Sequence, residues 1–323
     1  MRFKLTCLLL LVVALVGCEK TLDIPGPAYK KQVVLTGLLQ PDSLITLYLT
    51  YTAPISTTAA FEAVGNAEVT LFDDGRLVEK LAYRGDGSYR SKFWPNPGHT
   101  YKVIANVPGY GPIDAEDKMP DKPNSRLNIN VQATDNPNQN PDFTVSFQPK
   151  VATTAHWLAL YVGRIDWGLS AGCPPNVNGI LPPGCTFVDL LHRRQNYILT
   201  NSGYPDRFNG VYDSSTGRYI YSGFVRLDPT AVIGRSIEMT FSTYNQLAQV
   251  KDRPKGASNI IDLFAAGPNF DRYLKSVIKS AMNRITSGDD ALNNPFAEVT
   301  PVYSNVNGGL GIFGAVNLQR YTY

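Results

Sequence analysis

Between residues 31 and 120 the chain alternates apolar and polar residues in short runs, and turns containing glycine or proline separate these runs. Such a period of two is typical of β-strands that bury one face. The run 44–51 carries strand-forming residues on both parities, which predicts a strand in the middle of a sheet. Turn signals at 73–75 and 86–87 separate further strands, and the first predicts a hairpin. Roughly six or seven strands in about 90 residues predict a β-sandwich.

Part of this region also resembles a known module. The stretches AEVTLFDDG, DGSYRS and PGHTYKVIANVPGYG are similar to immunoglobulin-like modules of the transthyretin-like or carboxypeptidase-regulatory type. The resemblance implies that residues 31–120 form an interaction or spacer domain, and it brings no catalytic residues with it.

A break in composition follows at residues 120–125, where two prolines lie among polar residues, and it indicates a domain boundary. Beyond it, repeated strand-forming runs predict a larger β-rich domain over residues 127–323 with one or two short helices. The clearest helix follows Pro268, with Asn269 placed to cap it and with apolar residues at helical spacing. The predicted fold class is therefore mainly β: an N-terminal immunoglobulin-like or transthyretin-like β-sandwich followed by a larger C-terminal β-rich domain.

The N-terminus has the composition of an export signal. Arg2 and Lys4 precede a run over residues 5–16 that is apolar except at one position. Such a helix reaches only about 18 Å, which is too short for a hydrocarbon core of about 30 Å. The run therefore predicts a signal peptide over residues 1–17 rather than a membrane span.

Small residues lie immediately before Cys18, and this arrangement resembles the bacterial lipobox, in which the cysteine sulfur receives a diacylglyceryl group. We therefore predict that Cys18 is lipidated and that residues 18–30 form a tether, with an ordinary secretory signal as the alternative. Acyl chains contribute about 0.8 kcal/mol per buried methylene, so several of them would hold the protein on a membrane. The charged residues after Cys18 loosely resemble the surface-export signal of Bacteroidota lipoproteins, which favours the cell surface over a periplasm-facing position.

Two cysteines remain in the mature chain besides Cys18, since Cys7 lies in the signal peptide. Cys173 and Cys185 bracket a segment rich in proline and glycine. Because an export compartment is oxidising, this pair predicts a disulfide bond that contributes about 3 kcal/mol. A zinc site is the alternative, and it is disfavoured because the chain has no second cysteine pair.

The composition argues against nucleic-acid binding, since charged residues make up 18% of the chain and the formal charge is +3. The sequence contains no P-loop, no G-x-S-x-G and no H-E-x-x-H motif. We therefore predict that the protein is not an enzyme and uses no cofactor or metal. The histidines at 99, 156 and 192 are expected to be structural or solvated. Asp73, Asp74 and Asp86 could suggest calcium, but turn formation explains them without an ion.

Several motifs spread over the mature chain resemble one family. They are similar to motifs of the Bacteroidota outer-membrane lipoproteins called domain of unknown function 4249 (DUF4249). The resemblance implies an outer-membrane lipoprotein that accompanies a TonB-dependent outer-membrane transporter, and it carries over no catalytic residues. The motifs, besides the lipobox, are VVLTGLLQPDS, YPDRFNG, NPF and VYSNVNGGLGIFGA.

The glycines in the last of these motifs have a backbone explanation. Residues 307–309 predict a turn with positive φ, which glycine adopts without steric cost. We expect close approach of a strand at Gly311 and Gly314, because glycine in a strand often marks such an approach.

Three functions remain open at this point. The first is a non-catalytic binding or accessory component associated with a TonB-dependent transporter, with the membrane contacted through the lipid anchor. The second is a surface hydrolase of glycan or peptide that uses pairs of carboxylates and the aromatic residues around Trp167, Tyr204 and Tyr212. The third is a structural or adhesive surface protein. The sequence does not identify a ligand.

Overall fold

The structure is a computed structural model, and it shows a mainly β protein, as predicted. The sites predicted at Cys18 and at Cys173 and Cys185 lie outside the residues it describes. Those residues are 29–54, 60–130, 142–148, 154–169, 187–195, 197–232, 234–243, 257–283 and 300–322.

The first part of the chain contributes strands to two sheets whose side chains share one hydrophobic cluster. Strand β2 lies between β1 and β6, which confirms the prediction of a central strand. The hairpin predicted at 73–75 is also confirmed, since β3 and β4 pair antiparallel across it. These strands are β1 Val33–Leu39, β2 Thr46–Tyr51, β3 Glu68–Asp73, β4 Arg76–Lys80, β5 Ala82–Gly85, β6 Ser88–Arg90, β7 Thr100–Asn106 and β8 Ile113–Lys118.

The second part adds further strands and the helices. Within the described residues, one sheet has the order β12-β11-β18-β19-β1-β2-β6-β5 with β16 on β11, another β14-β15-β13-β17-β10-β9 and the third β4-β3-β7-β8. The strands are β9 Ser125–Asn130, β10 Asp142–Phe147, β11 Ala155–Leu169, β12 Phe187–Gln195, β13 Tyr197–Thr200, β14 Gly210–Asp213, β15 Arg218–Ser222, β16 Phe224–Leu227, β17 Ile237–Thr243, β18 Ala257–Ala266 and β19 Leu310–Thr322. The helices are a 3₁₀ turn at Arg207–Asn209, α1 at Pro229–Val232 and α2 at Pro268–Met282.

Strand β19 connects the two parts of the chain. It pairs in parallel with β1, from Val34 beside Leu310 to Leu39 beside Ala315, and it pairs antiparallel with β18 on its other edge. Phe313 and Ala315 are buried in the hydrophobic cluster of the first part. The predicted division between residues 31–120 and 127–323 is therefore crossed by a continuous sheet and by a shared core.

Helix α2 begins two residues earlier than predicted, and the prediction that Asn269 caps it is wrong. Gly267 occupies the N-cap position and Pro268 the first helical position, where its missing N–H costs nothing. Gly267 has no side chain to cap the helix, so the cap comes from another element. The helix rests on the outer face of the nine-stranded sheet through half-buried apolar residues such as Phe270 and Leu274.

Candidate functional site

The motif YPDRFNG forms a compact bend in the second part of the chain. The backbone of Pro205 bridges to Leu227, and Asp206 caps the 3₁₀ turn by accepting a hydrogen bond from the Phe208 amide at 3.3 Å. Asn209 is buried and donates to the carbonyl of Phe224 at 2.9 Å. These contacts make the motif a rigid connection between the sheets.

A charged network extends from this bend to helix α2. The Arg226 guanidinium donates to both carboxylate oxygens of Asp271, at 2.7 and 2.8 Å, and to Asp206 at 3.0 Å. Lys275 lies 3.3 Å from Asp206. The indole of the fully buried Trp157 donates to Asp271 at 2.9 Å. The network therefore fastens the helix to the motif and to the sheet below it.

The central ion pair of this network, between Arg226 and Asp271, is largely buried. The Arg226 side chain is 11% exposed and that of Asp271 13%, so both charges are largely removed from water. Burial lowers the pKa of Arg226, its two carboxylate partners raise it, and the net shift is upward. Because the cations of Arg226 and Lys275 together balance the two carboxylates, Asp206 and Asp271 form a structural ion-paired group rather than the free acid and base of a glycosidase.

The side chain of Asp117 joins three elements. It lies on β8, is 2% exposed, and accepts hydrogen bonds from the amides of Asn269 at 3.1 Å, Phe270 at 3.2 Å and Ala315 at 2.9 Å. It also accepts from the amide of Lys118 at 3.0 Å. Asp117 thus supplies the cap that helix α2 lacks and holds the helix against β19. Burial raises its pKa to about 6, although these hydrogen bonds act in the opposite direction.

The motif VYSNVNGGLGIFGA surrounds the same junction. Asn305 donates to the carbonyls of Glu116 and Phe313, each at 2.8 Å, and accepts from the Phe313 amide at 3.0 Å. Tyr303 donates to the side chain of Asn269 at 2.7 Å. The residues that mark this motif therefore hold β8, β19 and helix α2 together.

The close approach of a strand that was predicted is found at Gly311, which has φ +118° and where a β-carbon would overlap the carbonyl oxygen of Leu35 on β1. At Gly314 the neighbour is instead helix α2, since a β-carbon there would lie 2.7 Å from the ring of Phe270. Gly308 has φ +73°, in agreement with the predicted turn. Gly308 and Gly311 are thus required by the backbone, and Gly314 by the packing of helix α2.

Among the described residues, the group that could hold a metal ion is Asp73, Asp74 and His99, whose ligand atoms lie within 4.8 Å of one another. Asp86 is not part of this group. The imidazole Nδ1 of His99 lies 2.8 Å from Asp73 and 3.2 Å from Asp74, and the Asp73 hydrogen bond is the main cause of its raised pKa. Asp74 also accepts from the Thr100 amide at 2.9 Å. These contacts fasten the β3–β4 hairpin to β7.

The other histidines lie in strands. His156 is buried in β11 beside the ring of Phe147, and burial lowers its pKa to about 4, so it is neutral at pH 7. His192 lies in β12 opposite Arg164 in the strand register.

The clearest exposed apolar surface of the second part is on β14, which forms the edge of its sheet among the described strands. Val211 is 62% exposed and Tyr212 57%. The ring of Tyr212 lies 5.2 Å from that of Tyr219, and the Arg207 guanidinium lies 4.1 Å from the Tyr219 ring. An edge strand with large exposed side chains is a typical site for binding another chain.

The structure describes the side chains of two of the three aromatic residues named for a hydrolase. Tyr204 packs partly buried against the core while Tyr212 faces solvent, and the side chain of Trp167 lies outside the description. The structural roles of Asp117, Arg226 and Asp271 were not predicted, because their partners lie far away in the chain. A single aspartate at an inward position of the alternating strand 113–118 was the available signal for Asp117.

The fold and these contacts define a mainly β protein in which the marked motifs build junctions between elements. A family model described as "Domain of unknown function (DUF4249)" matches residues 19–322, and the chain belongs to this family, as its motifs predict. No curated protein matches the chain. None of the described helices is long and apolar enough to cross a bilayer.

Proposed function

We propose that the chain is a non-catalytic lipoprotein that a lipid on Cys18 anchors to the outer membrane, facing the cell surface. The observation that carries this proposal is the short apolar run that ends in small residues directly before Cys18. Two features of the structure support a binding role over a catalytic one. The carboxylates of Asp206, in the YPDRFNG motif, and of Asp117, on β8, are engaged in structural contacts, and β14 presents an apolar edge.

The partner that we propose is a TonB-dependent outer-membrane transporter, with β14 as the contact. Val211 and Tyr212 offer apolar and aromatic area, and Arg207 adds a cation stacked on Tyr219. Aromatic and arginine side chains dominate the binding energy of many protein interfaces. A strand edge also lets a partner add backbone hydrogen bonds to the sheet.

Replacing Cys18 with serine is expected to abolish acylation and to release the protein from the membrane fraction, because a serine hydroxyl does not receive the diacylglyceryl group. Metabolic labelling with radioactive palmitate and fractionation of the cells measure both effects. The matched control is Cys7→Ser, which also removes a thiol from the N-terminal region but leaves labelling and location unchanged. Labelled, membrane-bound Cys18→Ser protein would contradict the proposal.

The double variant Val211→Asp, Tyr212→Asp is expected to reduce co-isolation of the transporter by about tenfold or more, since it places charge on the anchors of the contact. The measurement is a detergent pull-down from membranes with the partners identified by mass spectrometry. Leu77→Asp is the control, because Leu77 is 63% exposed on β4 in a different sheet. The proposed contact is wrong if the double variant retains the partner as fully as this control, and the proposed partnership is wrong if the wild-type protein isolates no transporter.

A further inference from the structure

Three exposed aromatic side chains and a half-buried one gather at the end of the first part where the described chain begins. We call Tyr29, Tyr51, Phe61 and Tyr110 the aromatic rim. Phe61 is 69% exposed, Tyr29 47% and Tyr110 37%. So large an apolar and aromatic area on a surface is typical of a site that meets another surface.

Direct contacts hold the rim together. The hydroxyl of Tyr29 donates to the carbonyl of Thr52, and the rings of Tyr51 and Tyr110 lie 5.3 Å apart. The Tyr51 amide donates to the carbonyl of Glu62 at 2.8 Å, which fixes the neighbouring Phe61 beside the strand end. The rim is thus a preformed surface on strand ends.

Lysines border the same surface. The Lys31 ammonium lies 4.2 Å from the centre of the Tyr51 ring and 2.5 Å from the carboxylate of Glu62. Lys30 is exposed beside Tyr29. Tyrosine and lysine together suit the interface of a bilayer, because the ring sits at headgroup depth and the ammonium meets anionic lipid.

We propose that the aromatic rim rests on the headgroup layer of the bilayer that carries the lipid anchor, an inference that depends on the proposed acylation of Cys18. Eleven residue steps separate Cys18 from Tyr29, so the tether spans at most about 40 Å even when fully extended. The tether enters the described chain at the rim itself. The rim is therefore the part of the described chain that lies nearest to the anchor along the sequence.

The same geometry sets the orientation of the rest of the molecule. Strand β2 ends at the rim with Tyr51, and its first residues lie at the far end of the first part. There the Ile45 amide donates to the carbonyl of Phe93 at 3.2 Å. Its six residues place the two ends about 20 Å apart. Strand β19 starts beside Val34 and runs in the same direction as β1, away from the rim and into the second part. The second part, with its β14 edge, is thereby held away from the bilayer.

Tryptophan fluorescence on vesicles tests this orientation in the full-length lipidated protein. The variant Phe61→Trp places an indole in the rim, and Leu77→Trp places one on β4, at an exposed position towards the opposite end. Both proteins are reconstituted on vesicles of phosphatidylethanolamine and phosphatidylglycerol, part of which carry bromine on the acyl chain close to the headgroup. After subtraction of the wild-type signal, we expect the added fluorescence of Phe61→Trp to be blue-shifted and quenched by brominated lipid, and that of Leu77→Trp to remain unchanged.

Two other outcomes overturn the inference in distinguishable ways. If both variants float with the vesicles and Phe61→Trp is quenched no more than Leu77→Trp, the anchor is intact and the rim does not face lipid. If neither variant floats, the acylation of Cys18 has failed, and the proposed function falls together with the orientation that depends on it.

Discussion

Replacing Asp117 with alanine is expected to lower the free energy of unfolding by about 3 kcal/mol at pH 7, because buried amides that lose their acceptor cost about 1–3 kcal/mol each. The amides of Asn269, Phe270 and Ala315 lose their acceptor in this variant, and helix α2 loses its cap. The alanine variant also avoids the free-energy cost of burying a carboxylate, but this gain offsets only part of the loss. Urea unfolding at pH 7 measures the change.

The effect of Asp117→Ala depends on pH, and its sign follows from the direction of the pKa shift. The pKa of Asp117 is raised from 3.8 to about 6 in the folded protein, so the native state binds its proton more tightly than the unfolded state. The part of its contribution to stability that depends on protonation is therefore fully present below about pH 4 and is lost as the pH rises through about 6. The difference between wild type and Asp117→Ala should consequently be larger at pH 5 than at pH 7.

The matched control for this prediction is Glu116→Ala, one residue away on the same strand. Glu116 is exposed, and its backbone carbonyl, which alanine retains, accepts the hydrogen bonds from Asn269 and Asn305. We expect the control to change stability by less than about 0.5 kcal/mol. Equal urea midpoints for the two variants would show that Asp117 does not stabilise the junction, and a difference that shrinks at pH 5 would show that its pKa is not raised.

Replacing Gly311 with alanine is expected to have a larger effect than Asp117→Ala. We expect the free energy of unfolding to fall by more than about 4 kcal/mol, or the variant not to fold. Its φ of +118° disfavours any residue with a β-carbon. The new methyl group would overlap the carbonyl oxygen of Leu35 and lie 2.9 Å from its carbonyl carbon. Because both of these atoms belong to the backbone of β1, β19 could accept the methyl group only by moving away from β1.

The measurement is again urea unfolding, with soluble yield and resistance to protease as the readout if the variant does not fold. Gly111→Ala is the control, since Gly111 has no positive φ and a β-carbon there meets nothing within 4 Å. We expect this control to unfold like the wild type. Stability of Gly311→Ala within about 1 kcal/mol of the wild type would contradict the close packing of β1 and β19.

Much of the local structure could be predicted from the sequence. The alternation in 44–51 and the turn residues at 73–75 act on their immediate neighbours, so the central strand and the hairpin were predicted correctly. The close approach at Gly311 was also foreseen, because a glycine in a strand signals a neighbour. The identity of that neighbour, β1, was not foreseen.

Contacts between distant segments account for what was missed. Asn269 has the residue type of a cap, yet Asp117 caps the helix from 152 residues away in the chain. The ion pair of Arg226 with Asp271 was not predicted either, because Asp271 lies 45 residues further along the chain. Local sequence preferences do not determine which distant side chain the fold places at the end of a helix. The sequence alone therefore favoured Asn269, the nearest residue of a type that caps helices.

The amino-acid sequence alone was enough to predict a mainly β chain, to assign it to its family and to place many of its turns, since each of these depends on residue types and spacings within short segments. The parallel pairing of β1 with β19, the cap from Asp117 and the use of the family motifs as junctions became visible only in the folded molecule. Their energies come from burial and hydrogen bonds between segments that chain topology brings together, and no short stretch of sequence specifies that proximity.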